Sequence, residues 1–211
     1  MDPPAPQPID EIRALDTDTL VSRMRVGVEW FDPRVFELGS DELERAWRPE
    51  SGAGRWPIRV LLGHLADTEM LAATRIRTVF ALDNPTLALF DEDAFVDSGI
   101  YGCTEGSPVV PPIGGDVATI HTLRCWLVAT LFQLRDKDWA RGGLHPERGP
   151  VTILDLARYA CWHLEHHAWF LNAKAEKLLG PRPQPEPCPP EGCGNSGCAC
   201  AGGGDGDAQA P

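Results

Sequence analysis

Residues 161–170 read CWHLEHHAWF and contain three of the six histidines of the chain. They lie within residues 151–178, where apolar residues recur every three or four positions, the pattern of a long helix that covers a core. Side chains four positions apart in a helix lie on one face, about 6 Å apart along the axis. His163 and His167 can therefore direct two imidazoles to one place on the buried face, whereas His166 lies off the centre of that face.

A third histidine lies on the buried face of another predicted helix, which covers residues 56–82. This helix begins at a Trp-Pro-Ile triplet, because proline suits a first turn, where its missing N–H costs nothing. Its apolar stripe includes His64. Neutral imidazole is the commonest metal ligand, and an inward-facing pair of imidazoles needs a third ligand from another helix. His64, His163 and His167 are therefore predicted to bind a divalent transition metal, with zinc, nickel and iron as the candidates.

The alternative to a metal is a cluster of hydrogen-bonded core histidines. Burying three imidazoles in an apolar core without a common partner would leave several polar atoms to satisfy, so the metal site is the preferred interpretation. Three protein ligands leave coordination positions open. That arrangement is typical of a reactive metal, because structural zinc is usually closed by four protein ligands.

Acidic residues near these histidines suggest supporting roles. Asp67 follows His64 by one turn and is a candidate to hold the second nitrogen of that imidazole, with a solvated position on the helix face as the alternative. Glu69 and Glu165 are predicted to lie at the surface. The Phe-Asp-Glu-Asp run at residues 90–93 is predicted either to line the mouth of a pocket or to cap a short helix, and capping is the preferred interpretation.

The remaining periodicity predicts two further long helices, at residues 16–30 and 116–136. Residues 83–115 are long for a connection and rich in Pro, Gly and Asp, which indicates a functional loop or a crossover along the bundle. Residues 137–150 are predicted to be a loop. The expected fold is all-α, a four-helix bundle with one long crossover between helices 2 and 3. His121 is expected on a helix face and His145 in a loop.

Composition divides the chain into three parts. Residues 1–10 are Pro-rich and expected to be flexible, residues 11–180 form the bundle, and residues 181–211 are rich in Pro, Gly and Cys. This tail is expected to be disordered because it cannot bury enough apolar surface to offset the entropy of ordering. Its cysteines miss the usual C-x2-C zinc spacing, so they could bind a soft metal, form disulfides or be inert. They are Cys188, Cys193, Cys198 and Cys200.

The formal net charge of −12 argues against nucleic acids and anionic membranes as partners, because both are bound through clustered Lys and Arg. The N-terminus has no secretory signal, and no apolar run is long enough to span a bilayer. Seven cysteines, an odd number, are poor material for a disulfide framework. The expected protein is cytoplasmic and acts on a small molecule, with a homodimer as one allowed assembly.

Five short motifs in a fixed order resemble the DinB/YfiT-like superfamily. They are GRWPI at residues 54–58, LGHLADTE at 62–69, FDED at 90–93, HPERG at 145–149 and HLEHH at 163–167. The resemblance implies a four-helix bundle in which one histidine of the second helix and a His-x3-His pair of the last helix bind a divalent metal. On this chain those positions are His64, His163 and His167. The Cys-rich tail is not part of the family pattern.

The resemblance also suggests an activity. Characterised members use the metal with low-molecular-weight thiols such as bacillithiol, mycothiol or glutathione, as S-transferases or as a thiol-dependent isomerase. The family name implies no DNA polymerase activity. The expected function is therefore a metal-dependent transfer of a small thiol to an electrophilic substrate, with no catalytic side chain assigned. The alternatives are a metal-assisted hydrolase and a non-catalytic metal-binding or stress protein whose Cys tail sequesters metal.

Overall fold

A computed structural model describes residues 6, 8–103, 107 and 109–182 of the chain. The described helices belong to one compact unit, Met1–Pro181, and Arg182–Pro211 form a second unit. The tail cysteines Cys188, Cys193, Cys198 and Cys200 lie outside the described residues. No helix among the described residues is both long and apolar enough to cross a membrane.

The described chain is mainly helical, with one small hairpin. The helices are α1 (Ile9–Arg13), α2 (Thr17–Val26), α3 (Ser40–Leu43), α4 (Ile58–Ala81), α5 (Glu92–Asp97), α6 (Ile113–Leu131), α7 (Asp136–Trp139) and α8 (Ile153–Leu179), and the strands are β1 (Gly142–His145) and β2 (Gly149–Thr152). Short 3₁₀ turns cover Gly27–Trp30, Pro33–Glu37 and Pro49–Ser51.

Helices α2, α4, α6 and α8 form the bundle. Both α6 and α8 pack against α4, and both also pack against α2, so that α2 and α4 lie on opposite corners. The crossover between α4 and α6 contains α5, and the all-α four-helix bundle with this long connection confirms the predicted fold. Helix α1 begins within the N-terminal stretch that was expected to be flexible, because Ile12 is fully buried in the core.

Helix α8 begins at a capping box formed by Thr152 and Asp155. Thr152 Oγ1 accepts a hydrogen bond from the Asp155 N–H (3.1 Å), and Asp155 Oδ2 accepts one from the Thr152 N–H (2.9 Å). This reciprocal capping box satisfies two N–H groups that the first turn would leave without partners.

The third long helix begins and ends earlier than predicted. The sequence predicts residues 116–136, whereas α6 covers Ile113–Leu131. Its two early glycines made its first turn look like loop. Past its end, the Asp138 carboxylate accepts a hydrogen bond from the Arg135 N–H (3.1 Å) and starts the separate turn α7.

The prediction of a plain loop at residues 137–150 is wrong, because β1 and β2 form an antiparallel hairpin there. The hairpin is held by the crossover: the Leu144 N–H donates to the Pro85 carbonyl (2.8 Å), and the Leu87 N–H donates to the Leu144 carbonyl (2.9 Å). A side chain at Gly143 would meet Val79 and the Pro85 carbonyl at about 3.0 Å, so only glycine allows this close approach. Such contacts join distant parts of the chain and leave no local sequence signal.

Two apolar clusters fill the bundle, and a polar layer separates them. One cluster includes Ile76, Leu127 and Ala157, and the other includes Leu62, Ile120 and Leu164. Buried polar side chains lie between them on three of the four long helices. They are His64 and Glu69 on α4, Arg124 on α6 and His163 on α8. This layer is where the candidate site is built.

Candidate metal centre

The imidazoles of His64, His163 and His167 converge within the polar layer. His163 Nε2 lies 3.2 Å from His64 Nε2 and 3.2 Å from His167 Nε2. The three candidate ligand atoms all lie within 4.8 Å of one another. The structure therefore brings together the three histidines that the sequence selects from two separate helices.

These distances fit a common cation. Two nitrogens bound to one tetrahedral zinc at 2.0–2.1 Å lie about 3.3 Å apart. The rings are also in the protonation state that a metal requires. Burial lowers the pKa of His64 to about 4 and that of His167 to about 2. Burial, followed by the neighbouring imidazoles, lowers the pKa of His163 well below its usual value.

A hydroxyl group selects the tautomer of the central histidine. Thr68 Oγ1 donates its proton to the Leu65 carbonyl oxygen (3.1 Å), so towards His163 Nδ1, 3.4 Å away, it can only accept. This acceptor favours the His163 tautomer that carries its proton on Nδ1. This arrangement leaves the lone pair on Nε2, which faces the other two histidines.

The protein alone does not satisfy this cluster. His163 Nε2 has one lone pair, so it can accept one N–H but not two, although two imidazole nitrogens lie at 3.2 Å. His64 Nδ1 and His167 Nδ1 are buried and have no hydrogen-bond partner among the described residues. The crowded acceptor at His163 Nε2 therefore makes a structural cluster of hydrogen-bonded histidines a poor fit, whereas a cation accepts all three Nε2 lone pairs at once. The two Nδ1 atoms lack a described partner in either case.

The prediction that Asp67 holds His64 is wrong. Asp67 Oδ2 accepts a hydrogen bond from the Tyr101 hydroxyl (2.6 Å), while His64 Nδ1 stays without a described partner. Tyr101 belongs to the crossover, and its ring packs so closely on Gly63 that a side chain there would overlap it. Asp67 therefore anchors the crossover to α4 and does not orient the imidazole.

Aromatic rings enclose the three histidines. Trp56 packs against His64, with ring centroids 4.9 Å apart, and stacks on His167 at 6.0 Å. Phe90 of the crossover lies 6.0 Å from the His64 ring. His166 packs against Trp162 (4.8 Å) and does not belong to the three-histidine cluster, in agreement with its predicted position off the buried face.

A cavity of about 550 Å³ opens beside His163. Its wall combines apolar side chains with charged and aromatic groups from α4, α8, the crossover and the hairpin. The lining residues are Thr68, Glu69, Leu71, Ala72, Arg75, Leu89, Phe90, Asp91, Glu92, His145, Glu147, Arg148, Leu156, Tyr159, Ala160 and His163. A volume of this size suits a small-molecule substrate.

The prediction that Glu69 and Glu165 lie at the surface is wrong. Glu69 is 2% exposed and forms a buried ion pair with Arg124, while Glu165 accepts two hydrogen bonds from the Arg23 guanidinium (2.7 and 2.8 Å). A signal for the first pair was present in the sequence. Arg124 interrupts the apolar stripe of α6, and a buried guanidinium needs a buried carboxylate.

Two other groups reach the cavity. His145 ends β1, and its buried Nδ1 accepts hydrogen bonds from the backbone N–H groups of Glu147 and Arg148, both at 3.3 Å. Its role at the cavity wall was hidden, because the hairpin that carries it was predicted as a loop. Asp91 caps α5 by accepting a hydrogen bond from the Ala94 N–H (3.0 Å), and it also lines the cavity. Both roles predicted for residues 90–93, helix capping and pocket lining, are therefore found at Asp91.

The fold and the site define a class of protein: a four-helix bundle with an inward-facing three-histidine site that fits a divalent metal. The chain belongs to the DinB superfamily, whose model matches residues 35–171. The family resemblance carried by the five sequence motifs is therefore confirmed.

Relatives of known name support the same class. The chain is 27% identical to "Putative metal-dependent hydrolase OB0782" of Oceanobacillus iheyensis over 133 residues, which are 63% of this chain and 70% of that protein. It is 28% identical over 116 residues to "Putative metal-dependent hydrolase YfiT" of Bacillus subtilis, covering 54% of this chain and 61% of that protein.

A solved structure shares the fold. It is described as "YfiT from Bacillus subtilis is a probable metal-dependent hydrolase with an unusual four-helix bundle topology", and it matches with a TM-score of 0.65 at 20% sequence identity. The match covers 77% of this chain and 87% of that chain.

Proposed function

We propose that the protein is a metal-dependent enzyme whose metal is bound by His64, His163 and His167 and whose substrate enters the cavity beside His163. The convergence of the three Nε2 atoms, with His163 also lining a cavity of about 550 Å³, supports this proposal. When bound, the metal supplies Lewis-acid chemistry, which lowers the pKa of a small nucleophile. Three protein ligands leave room for that nucleophile.

The nucleophile that we propose is a low-molecular-weight thiol of the bacillithiol, mycothiol or glutathione type, transferred to an electrophilic substrate. A free thiol titrates near 8.5, and a neighbouring cation favours the reactive thiolate. The three described thiols are poor substitutes, because none of them lines the cavity. Burial also raises the pKa of Cys161 to about 12 and raises the pKa of Cys103. The reactive sulfur would therefore come from a bound cofactor.

Hydrolysis is the second candidate, and the names of the relatives favour it. It differs from thiol transfer only in the nucleophile, which would be water. Either reaction needs a group that takes the proton of the nucleophile. Glu69 is suited to this task, because it lines the cavity and its buried Oε2 has no described hydrogen-bond partner. Burial raises the pKa of Glu69, although Arg124 opposes that shift.

The test uses the full chain, purified anaerobically and analysed for metal. We expect a divalent transition metal, and we expect conjugation of a model electrophile only when metal and one thiol of the panel bacillithiol, mycothiol and glutathione are both present. Metal-dependent ester or amide cleavage without any thiol would favour the hydrolase instead. A protein that holds metal but catalyses neither reaction would favour the non-catalytic, metal-sequestering alternative.

A further inference from the structure

The charged side chains of the cavity are not evenly distributed. Arg75 of α4, His145 of β1 and Arg148 of the hairpin turn line its wall together with His163, and the first three also line a second cavity that His163 does not line. These three residues define the basic corner of the cavity. Burial and the neighbouring Arg148 guanidinium lower the pKa of Arg75. Burial, Arg75 and Arg148 likewise lower the pKa of His145. The three groups therefore lie close enough to act on one another electrostatically.

Neither guanidinium of this corner is neutralised by an ion pair. Among the described residues, no carboxylate lies within ion-pair distance of Arg75 or Arg148. Arg75 donates instead to the Ala88 carbonyl from Nε (3.1 Å) and Nη2. The guanidinium of Arg148 lies over the Tyr159 ring, 4.2 Å from its centroid.

The acidic residues of the cavity do not cancel this charge. Glu147 is the carboxylate that acts on both Arg75 and His145, and it is exposed. Asp91 is engaged as the cap of α5, and Glu69 is paired with Arg124. The corner therefore carries two guanidinium groups without an ion-pair partner among the described residues, in a protein whose net charge is −12.

Tyr159 connects this corner to the metal centre. Its ring stacks on His163, with centroids 5.6 Å apart and an interplanar angle of 28°. The same ring lies under the Arg148 guanidinium at 4.2 Å. The guanidinium carbon therefore lies no farther from the His163 ring centre than the sum of these two distances, a span that one small molecule can bridge.

We infer that this corner binds an oxyanion group of the substrate or thiol cofactor, with Arg75 and Arg148 as its ligands, while the reacting atom of the same molecule lies at the metal centre. Guanidinium groups bind carboxylates and phosphates through charge-assisted, often bidentate hydrogen bonds. The inference rests on the proposed function, because it names the substrate class of that same site: an acidic small molecule. A neutral analogue would lose these hydrogen bonds but keep its approach to the metal.

The test measures thiol binding to the full chain loaded with cobalt(II), through the sulfur-to-cobalt charge-transfer absorption. The probes are 6-mercaptohexanoate and its neutral analogue 6-mercaptohexanamide. We expect the carboxylate to bind about 10-fold or more tightly than the amide, the range of a charged hydrogen bond. In Arg148→Gln this ratio should fall towards one while the affinity for the amide stays the same. 6-Mercaptohexyl phosphate, measured in parallel, distinguishes phosphate from carboxylate recognition.

Arg77→Gln is the matched control. Arg77 also lies 4.2 Å over an aromatic ring, that of Trp126, but it is outside this cavity. Its replacement should leave the ratio at the wild-type value. Equal affinities for acid and amide in the wild-type protein, or a preference that survives in the Arg75→Gln/Arg148→Gln double variant, would overturn the inference.

A second measurement separates this inference from the proposed function. If neither thiol changes the cobalt spectrum, thiol binding at the metal fails, and a calorimetric titration of the metal-free full chain with hexanoate and hexanamide decides the oxyanion site. Heat with hexanoate that disappears in the double variant supports the site. Hexanoate binding no tighter than hexanamide contradicts it.

Discussion

Two buried polar groups lie side by side in the bundle, and they are satisfied in different ways. The ion pair of Glu69 and Arg124 is almost fully buried and neutralises its own charges, and Arg124 also donates to the Ala160 carbonyl (3.1 Å). The histidine cluster brings three lone pairs together, with two Nδ1 atoms left without a described partner. The ion pair balances its charges within the protein, although Glu69 Oε2 and Arg124 Nε have no described hydrogen-bond partner, whereas the three Nε2 lone pairs of the histidine cluster need a cation.

This difference gives the ion pair a structural task in addition to the proton transfer proposed for Glu69, and gives the histidine cluster a functional one. The ion pair joins α4 to α6 and separates the two apolar clusters, so it should matter for stability with or without metal. The histidine cluster should contribute little to the stability of the metal-free protein, because its buried nitrogens lack partners. Strained or unsatisfied groups of this kind are tolerated where function requires them.

The largest expected effect is a loss of stability when the ion pair is broken. Arg124→Met removes the guanidinium and leaves a buried carboxylate without its counter-charge, which should lower the free energy of unfolding by about 3–5 kcal/mol. Urea denaturation of the metal-free protein measures this loss. Arg77→Met, at an exposed arginine, is the control and should change stability little.

The double variant Glu69→Leu/Arg124→Met sharpens the result, because it removes both charges. Replacing a buried pair with apolar side chains is often neutral or stabilising, so this variant should recover most of the loss. If the double variant is as unstable as Arg124→Met, packing and not charge carries the contribution of the pair.

The next effect is on metal affinity. His163→Ala removes the central ligand and should weaken metal binding by at least about 100-fold. Even the mutation of residues that only orient a ligand typically weakens metal binding by about 10–100-fold. Metal analysis after dialysis against a chelator measures the change. His166→Ala is the matched control on the same helix and should retain its metal. Full occupancy in the His163 variant would remove the three-histidine assignment.

The pH dependence of the metal-free protein tests the same comparison. The pKa of His64 is lowered from 6.5 to about 4 by burial. Below pH 6.5 the unfolded chain binds a proton here that the folded chain does not bind. The free energy of unfolding should therefore fall between pH 6.5 and 4, with no contribution from this group above pH 6.5. Urea denaturation of the wild type and of His64→Phe at several pH values measures this dependence. The free energy of unfolding should fall less steeply with falling pH in the variant, and equal slopes would contradict the prediction.

A smaller effect is expected from the hydroxyl that selects the tautomer. Thr68→Val keeps the shape of the side chain but removes the acceptor for His163 Nδ1–H. It should weaken metal binding by about 10-fold, the lower end of the range for ligand-orienting groups, because the contact is long at 3.4 Å. Competition with a coloured chelator measures this change in metal affinity. Thr78→Val, on the same helix outside the site, is the control, and an unchanged affinity in Thr68→Val would show that the tautomer is not selected here.

The sequence predicted what depends on short-range periodicity. Helical spacing was enough to place His163 and His167 on one face, and the same pattern placed His64 on the buried face of another helix. Prediction from the sequence failed where distant segments of the chain meet. The hairpin, the Tyr101 contact that occupies Asp67 and the burial of Glu69 all depend on partners far along the chain, and Arg124 was the only local sign of any of them.

The smallest expected effect concerns the tail, and it tests whether the bundle holds its metal alone. Residues 182–211 lie outside the compact unit that ends at Pro181, and the three histidines lie inside it. A chain that ends at Pro181 should therefore keep the thermal stability and the metal content of the full chain after chelator dialysis. The control is the full chain with Cys188, Cys193, Cys198 and Cys200 replaced by serine. If truncation and serine replacement both remove most of the metal, the tail and not the histidine cluster is the main binding site, and the difference between the two buried groups loses its functional meaning.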